Sequence, residues 1–97
     1  MRRFYKREWL ESRGDQHDAW GTSVWYFEIG DDRRPTRQLE VYQSGVMLAY
    51  DTTHRDDEFG ALGDQAALNG PEWDEREISA DEFESAWRAA QPRLRNR

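Results

Sequence analysis

Between residues 23 and 51 the chain runs through three successive apolar and polar alternations, separated by gaps too short for anything but tight turns. Successive side chains of a strand point to opposite faces. In "SVWYFEIG" Trp25, Phe27 and Ile29 therefore share one side, while Val24, Tyr26 and Glu28 share the other. The first set is expected to face the core. "DDRRPT" is a turn, and its Pro35 has no N–H to give to a central ladder. "RQLEVYQ" resumes the alternation with Leu39 and Val41 against Gln38, Glu40 and Tyr42. "QSGV" is a hairpin turn in which Gly45 can take a positive φ, and it leads into the strand "VMLAYD". Three strands joined by short turns imply an antiparallel meander.

The flanks complete the architecture. "RFYKREWLE" (residues 3–11) reads as a strand with Tyr5 and Trp9 on one face and Arg7 between them, followed by turn-rich residues in "GDQHDAWGTS". Periodicity fails from residue 52 to about 77, in a long acidic loop that has room for a short extra element near "EWDEREI". "ISADEFESAWRAAQP" is a helix. Ser79 is its N-cap, Glu82 completes a capping box and Ile78 is placed to staple onto Phe83. Phe83, Ala86, Trp87 and Ala90 make the apolar stripe, and Pro92 is expected to end the helix. The predicted fold is α+β: one domain over residues 1–97, with a four-stranded, mainly antiparallel sheet and the C-terminal helix packed on one face. The other sheet face is expected to lie open and to carry Tyr26, Glu28, Gln38, Glu40 and Tyr42.

"YFEIGDDRRPTRQLEVYQSGVMLAYD" followed by "ISADEFESAW" resembles a small bacterial family of uncharacterised domains. Its pattern is Tyr-x-Glu, acidic and turn residues, Arg-x-x-Glu, an aromatic residue, a glycine hairpin and an Ile-Ser-x-x-Glu-Phe-Glu-x-x-Trp helix. The matching positions here are Tyr26, Glu28, Arg37, Glu40, Gly45, Ser79, Phe83 and Trp87. Gly30 stands where an acidic residue is usual, and Arg7 where an apolar one fits. The resemblance covers most of the chain, weakly at the first strand and poorly over residues 52–77. It implies the fold and little of the function.

Charge narrows the classes of partner. The net charge is -6, and residues 1–50 are balanced, so all of it resides in residues 51–97. Such a field repels nucleic acid and attracts basic protein surfaces. No stripe of interleaved arginines and aromatics favours nucleic acid, and no apolar run approaches the roughly 20 residues that span a bilayer. With no cysteine, thiolate metal sites and disulfides are excluded, and a cytoplasmic address is favoured. The N-terminus lacks the apolar segment and cleavage site of a secretory signal.

Catalytic chemistry finds little support. Asp51, His54, Asp56, Asp57 and Glu58 are the one grouping that resembles metal ligands, but their spacing matches no known metal loop and a solvated acidic loop explains them. His17 lies in a turn, and the serines have cap or turn explanations. Neither a phosphate-binding glycine motif nor a cofactor signature is present, so no metal and no cofactor are expected. Glu28 and Glu40 fall on neighbouring strands, with Arg37 beside them only if a bulge or twist re-aims it. Trp9, Trp25 and Trp87 have core assignments from periodicity. Trp20 and Trp73 have none and are candidate binding anchors.

The expected function is a small acidic protein-binding domain that engages a basic protein surface, with an antitoxin or immunity protein that occludes a toxin's active surface as its specific form. Its candidate binding residues are Tyr26, Glu28, Arg37, Glu40, Tyr42, Asp56, Asp57, Glu58, Trp20 and Trp73. The alternatives are a regulatory or assembly module, and a small-molecule-binding domain or enzyme with a pocket around Glu28, Arg37 and Glu40. A cavity is the feature that discriminates the last from the others.

Overall fold

A computed structural model of the chain describes residues 2–63 and 75–95, with side chains as far as residue 90. The four expected strands form as β1 (Arg3–Trp9), β2 (Ser23–Ile29), β3 (Pro35–Tyr42) and β4 (Met47–Asp51). Each pairs antiparallel with the next, so the meander is the fold. Within the segment read as a loop, β5 (Asp56–Asp57) and β6 (Gly60–Ala61) make a miniature hairpin, and β7 (Glu77–Ile78) adds a fifth strand to the outer edge of β1. The sheet order is β4-β3-β2-β1-β7. α1 (Ala80–Arg95) closes the chain and lies across the sheet.

One residue decides which side chains meet the helix. Ile29 pairs with Pro35, yet Glu28 pairs with Arg37, which leaves Thr36 as the extra residue of a β-bulge. Pro35 offers no N–H to the ladder. The hydroxyl of Thr36 instead donates to the backbone carbonyl of Glu28 at 3.2 Å and to its carboxylate at 2.6 Å. The bulge slips β3 by one position, and a slip of one exchanges faces. Tyr26 consequently pairs with Leu39 and Val24 with Val41, while Trp25 pairs with Glu40 and Phe27 with Gln38.

The helix-facing layer is therefore not the one expected from β2. Leu39, Ala49 and Ala90 form its buried centre, with Tyr26, Val41, Met47, Ala86 and Trp87 packed around them. Phe83 is fully buried, with Phe4 of β1 at 5.2 Å between ring centroids. The stripe read from the helix is the stripe used, and Ser79 caps it by accepting the Glu82 N–H at 3.1 Å. Pro92 does not end the helix, which continues to Arg95. A proline costs the ladder one N–H, and here the helical backbone carries on past that gap.

The second face is covered as well, which overturns the expected open sheet. Tyr42, Leu48 and Tyr50 are buried there beneath Trp20 of the 10–22 loop, Val46 of the turn between β3 and β4, and Phe59 and Leu62 of the segment around the β5–β6 hairpin. Burying each such large apolar side chain stabilises the fold by about 1.5–3 kcal/mol. Tyr26 and Glu28 lie on the helix side, and Gln38, Glu40 and Tyr42 are buried rather than exposed. No helix among the described residues is long and apolar enough to cross a membrane.

Candidate functional site

The bulge divides the expected site residues between the two faces. On the helix side, Arg37 reaches across to α1 and meets Glu84 with two parallel bonds, Nη1 to Oε1 at 2.8 Å and Nη2 to Oε2 at 2.7 Å. Its Nη2 also donates to Glu28 at 2.5 Å, and the guanidinium lies 4.8 Å from the Phe83 ring centroid and 5.2 Å from that of Trp87. Glu28 is only 2% exposed. Burial works to raise its pKa, but the hydrogen bonds from Arg37 and Thr36, together with the charges of Arg37 and Arg2, outweigh it and hold the carboxyl below its ordinary value. This cluster ties the helix to the sheet. Glu40 points to the opposite face, so the pocket expected around Glu28, Arg37 and Glu40 does not assemble.

On the other face the expected residues do converge. Glu40 and Tyr42 form the floor, and the Tyr42 hydroxyl donates to Glu40 at 2.5 Å. The Gln38 amide donates to Glu40 at 2.9 Å and to the Ala61 carbonyl at 3.2 Å, while its own oxygen accepts the Gly63 N–H at 3.1 Å. Gln38 thereby stitches the hairpin onto the sheet. Burial pushes the Glu40 carboxyl above its ordinary value despite these bonds and the field of Arg13. Burial, reinforced by the adjacent Glu40, also raises the Tyr42 phenol.

Arg13 is the cross-brace of this face. It donates to the Phe59 carbonyl at 2.7 Å and to Asp15 at 3.0 Å, and it lies 5.3 Å over the Trp20 ring. Trp20 packs against Tyr42 at 5.1 Å, stacks on His17 at 4.3 Å and meets Phe59 at 5.6 Å. It covers the floor from one side and belongs to the scaffold of the site. Trp73 lies outside the described residues.

The acidic stretch splits into scaffold and surface. Asp51 accepts the N–H groups of Thr53 and His54 at 2.9 and 2.8 Å, closing a turn. Asp57 accepts the Tyr50 hydroxyl and the Phe59 N–H, each at 2.8 Å, and the Gly60 N–H at 3.1 Å, so it holds the hairpin turn. Asp56 and Glu58 are exposed on the same hairpin. Among the described residues no group of three histidine or acidic side chains is arranged to hold a metal ion.

Between the hairpin, the 10–22 loop and β1–β3 lies a cleft of about 310 Å³. Glu40 and Tyr42 lie at its base, and Trp9, Trp25, Phe59, Arg13, Glu11 and Asp15 are among its walls. The volume is at the lower end of the roughly 300–1,000 Å³ typical of ligand sites. Trp25 is fixed by its indole N–H, which donates to Ser23 at 2.8 Å. Trp9 is 44% exposed and Leu10 beside it is 77% exposed. Neither Trp9 nor Trp25 sits in the core beneath the helix, which corrects the assignment made from periodicity. The signal in the sequence was Arg7, a charge in the same strand row as Tyr5 and Trp9, which marks a row that is not sealed. Comparison with protein-family models, with curated proteins and with solved structures finds no match to this chain.

Proposed function

We propose that the chain is a small binding domain that receives a basic segment of a partner protein on the face opposite its helix. The observation that carries this reading is the convergence of the acidic hairpin with an aromatic-walled cleft floored by Glu40. Asp56 and Glu58 lie exposed on the hairpin that supplies one wall, where they steer a cationic partner toward the cleft. Trp9 and Trp25 then supply aromatic surface that acts after encounter. The net charge of -6 adds a long-range attraction of the same sign. The polar side chains at the floor are engaged with one another, an arrangement that favours recognition over turnover.

A peptide of alternating arginine and serine tests the reading, with a glutamate and serine peptide as control. The basic peptide is expected to bind saturably and more weakly as salt is raised, and to shift the backbone amides of residues 56–61 and the indoles of Trp9 and Trp25. Equal binding of the acidic peptide, or shifts confined to the outer side of α1, overturns it. The narrower form, an antitoxin or immunity protein that covers a toxin's active surface, rests on small size and acidity. Its test is whether co-expression protects cells from a toxin encoded beside this gene, and no protection there removes it.

A further inference from the structure

We infer that the cleft over Glu40 is a subsite for one arginine side chain of the partner, with the guanidinium against the indoles and within the field of the floor carboxyl. This rests on the binding function proposed above and names the group that the site takes.

Charge excludes an anion. Of the charged residues lining the cleft, Glu11, Asp15 and Glu40 are acidic and only Arg13 is basic. Arg13 already spends its guanidinium on Asp15, the Phe59 carbonyl and the Tyr42 hydroxyl. An entering anion meets three carboxyls and a cation that is already engaged. Asp15 already has Arg13 as its counter-charge, but a neutral apolar group leaves the buried Glu40 carboxyl with neutral hydrogen-bond partners alone, whereas a cation supplies it with a charged one.

Shape and surface favour guanidinium over ammonium. The walls include two indoles and the Phe59 ring, and a planar, weakly hydrated guanidinium lies on aromatic faces where a compact ammonium stays hydrated. The molecule uses the same contact internally. Arg7 lies 5.0 Å over Trp9, Arg13 lies 5.3 Å over Trp20, and Arg37 lies 4.8 Å from Phe83. The floor adds a second element of recognition. Glu40 is held rigidly by Tyr42 and Gln38, so its charge is pre-positioned and little ordering is required when a ligand arrives. Because burial raises the Glu40 carboxyl, an entering guanidinium that lowers it again draws extra affinity as pH rises through the carboxyl's range. The groups facing that carboxyl are Tyr42 and Gln38 on its own strand, Arg13 on the loop and Asp57 on the hairpin.

The experiment titrates the protein with Nα-acetyl-arginine amide, with the neutral isostere Nα-acetyl-citrulline amide and with Nα-acetyl-lysine amide, and follows the indole N–H resonances of Trp9 and Trp25. The arginine amide is expected to shift both indoles saturably and to bind about tenfold or more tighter than the citrulline amide, with the lysine amide between them. Trp9→Ala, at an exposed position that leaves the core intact, is expected to weaken it by about fivefold. Glu40→Gln is expected to abolish the preference for arginine over citrulline. Equal affinity for arginine and citrulline, equal affinity for lysine and arginine, or shifts outside the cleft overturns the subsite. If the arginine and serine peptide still binds the hairpin face and Trp9→Ala leaves that affinity unchanged, the subsite fails while the binding function stands. If the peptide does not bind at all, both fail.

Discussion

Replacing Arg37 by methionine is the most demanding test of how the fold is held together. The substitution keeps an unbranched apolar stem between sheet and helix and removes only the guanidinium. Three losses follow, of different size. The bond to Glu84 involves a partner that is 38% exposed, and such pairs contribute about 1 kcal/mol at most. The contacts with Phe83 and Trp87 contribute about 0.5–1 kcal/mol. The dominant loss is at Glu28, whose side chain is 3% exposed: its carboxylate keeps Thr36 at 2.6 Å, but among the described residues its remaining counter-charge is the exposed Arg2 at 3.7 Å. Leaving a buried charge without its partner costs about 3 kcal/mol. The expected total is about 3.5–5 kcal/mol, seen in urea denaturation as a lower midpoint at unchanged slope. At about 5 °C per kcal/mol for a chain of about 100 residues, that is a fall in Tm of about 17–25 °C.

Glu28→Gln added to Arg37→Met removes the stranded charge and is expected to recover about 1–2 kcal/mol of the loss. The pH dependence has a definite sign. Glu84, chiefly through its bond to Arg37, and Glu28 are both held below their ordinary values in the folded state. Their stabilisation is present in full above the ordinary carboxyl range and is lost as pH falls through the folded values. The gap between wild type and Arg37→Met therefore narrows as pH is lowered from 7 through about 4. A variant within about 1 kcal/mol of wild type at pH 7, or a double variant no more stable than the single, refutes the argument.

Three further outcomes are expected. Asp56→Asn with Glu58→Gln slows association of the arginine and serine peptide at low salt without loss of stability, whereas Asp57→Ala lowers the urea midpoint, because the Asp57 carboxylate accepts the three bonds that hold the hairpin turn. Ser79→Ala costs about 1 kcal/mol of stability with peptide affinity unchanged, since the cap it removes lies on α1 and away from the cleft. Gly60→Ala places a Cβ 3.0 Å from the Tyr50 hydroxyl, which bonds Asp57, so it is expected to destabilise by about 1–3 kcal/mol and to weaken the peptide together with the hairpin. Denaturation and titration on the same samples check all three.

What alternation can establish, it established. Tyr5, Arg7 and Trp9 share a row, as do Trp25 and Phe27, and as do Glu40 and Tyr42, because a strand has a period of two wherever it is placed. The turn at Gly45, with φ 99°, the cap at Ser79 and the stripe Phe83, Ala86, Trp87 and Ala90 are local chemistry and were legible for the same reason. Which rows lie together is not local. Without the bulge at Thr36, Tyr26 and Glu28 would share a face with Gln38 and Glu40. With it, Glu28 meets Arg37 under the helix and Glu40 floors a cleft on the far side. A single extra residue carries that choice, and its signal in the sequence is no more than a proline without an N–H and a threonine able to bond backward. The burial of Glu40 was hidden for another reason. The residues that cover its face, Trp20 and Phe59, stand about twenty positions away on either side, and only the closed chain brings them together. Periodicity reports neighbours along a strand; the helix, the loop and the hairpin compete for two half-apolar faces, and packing decides between them.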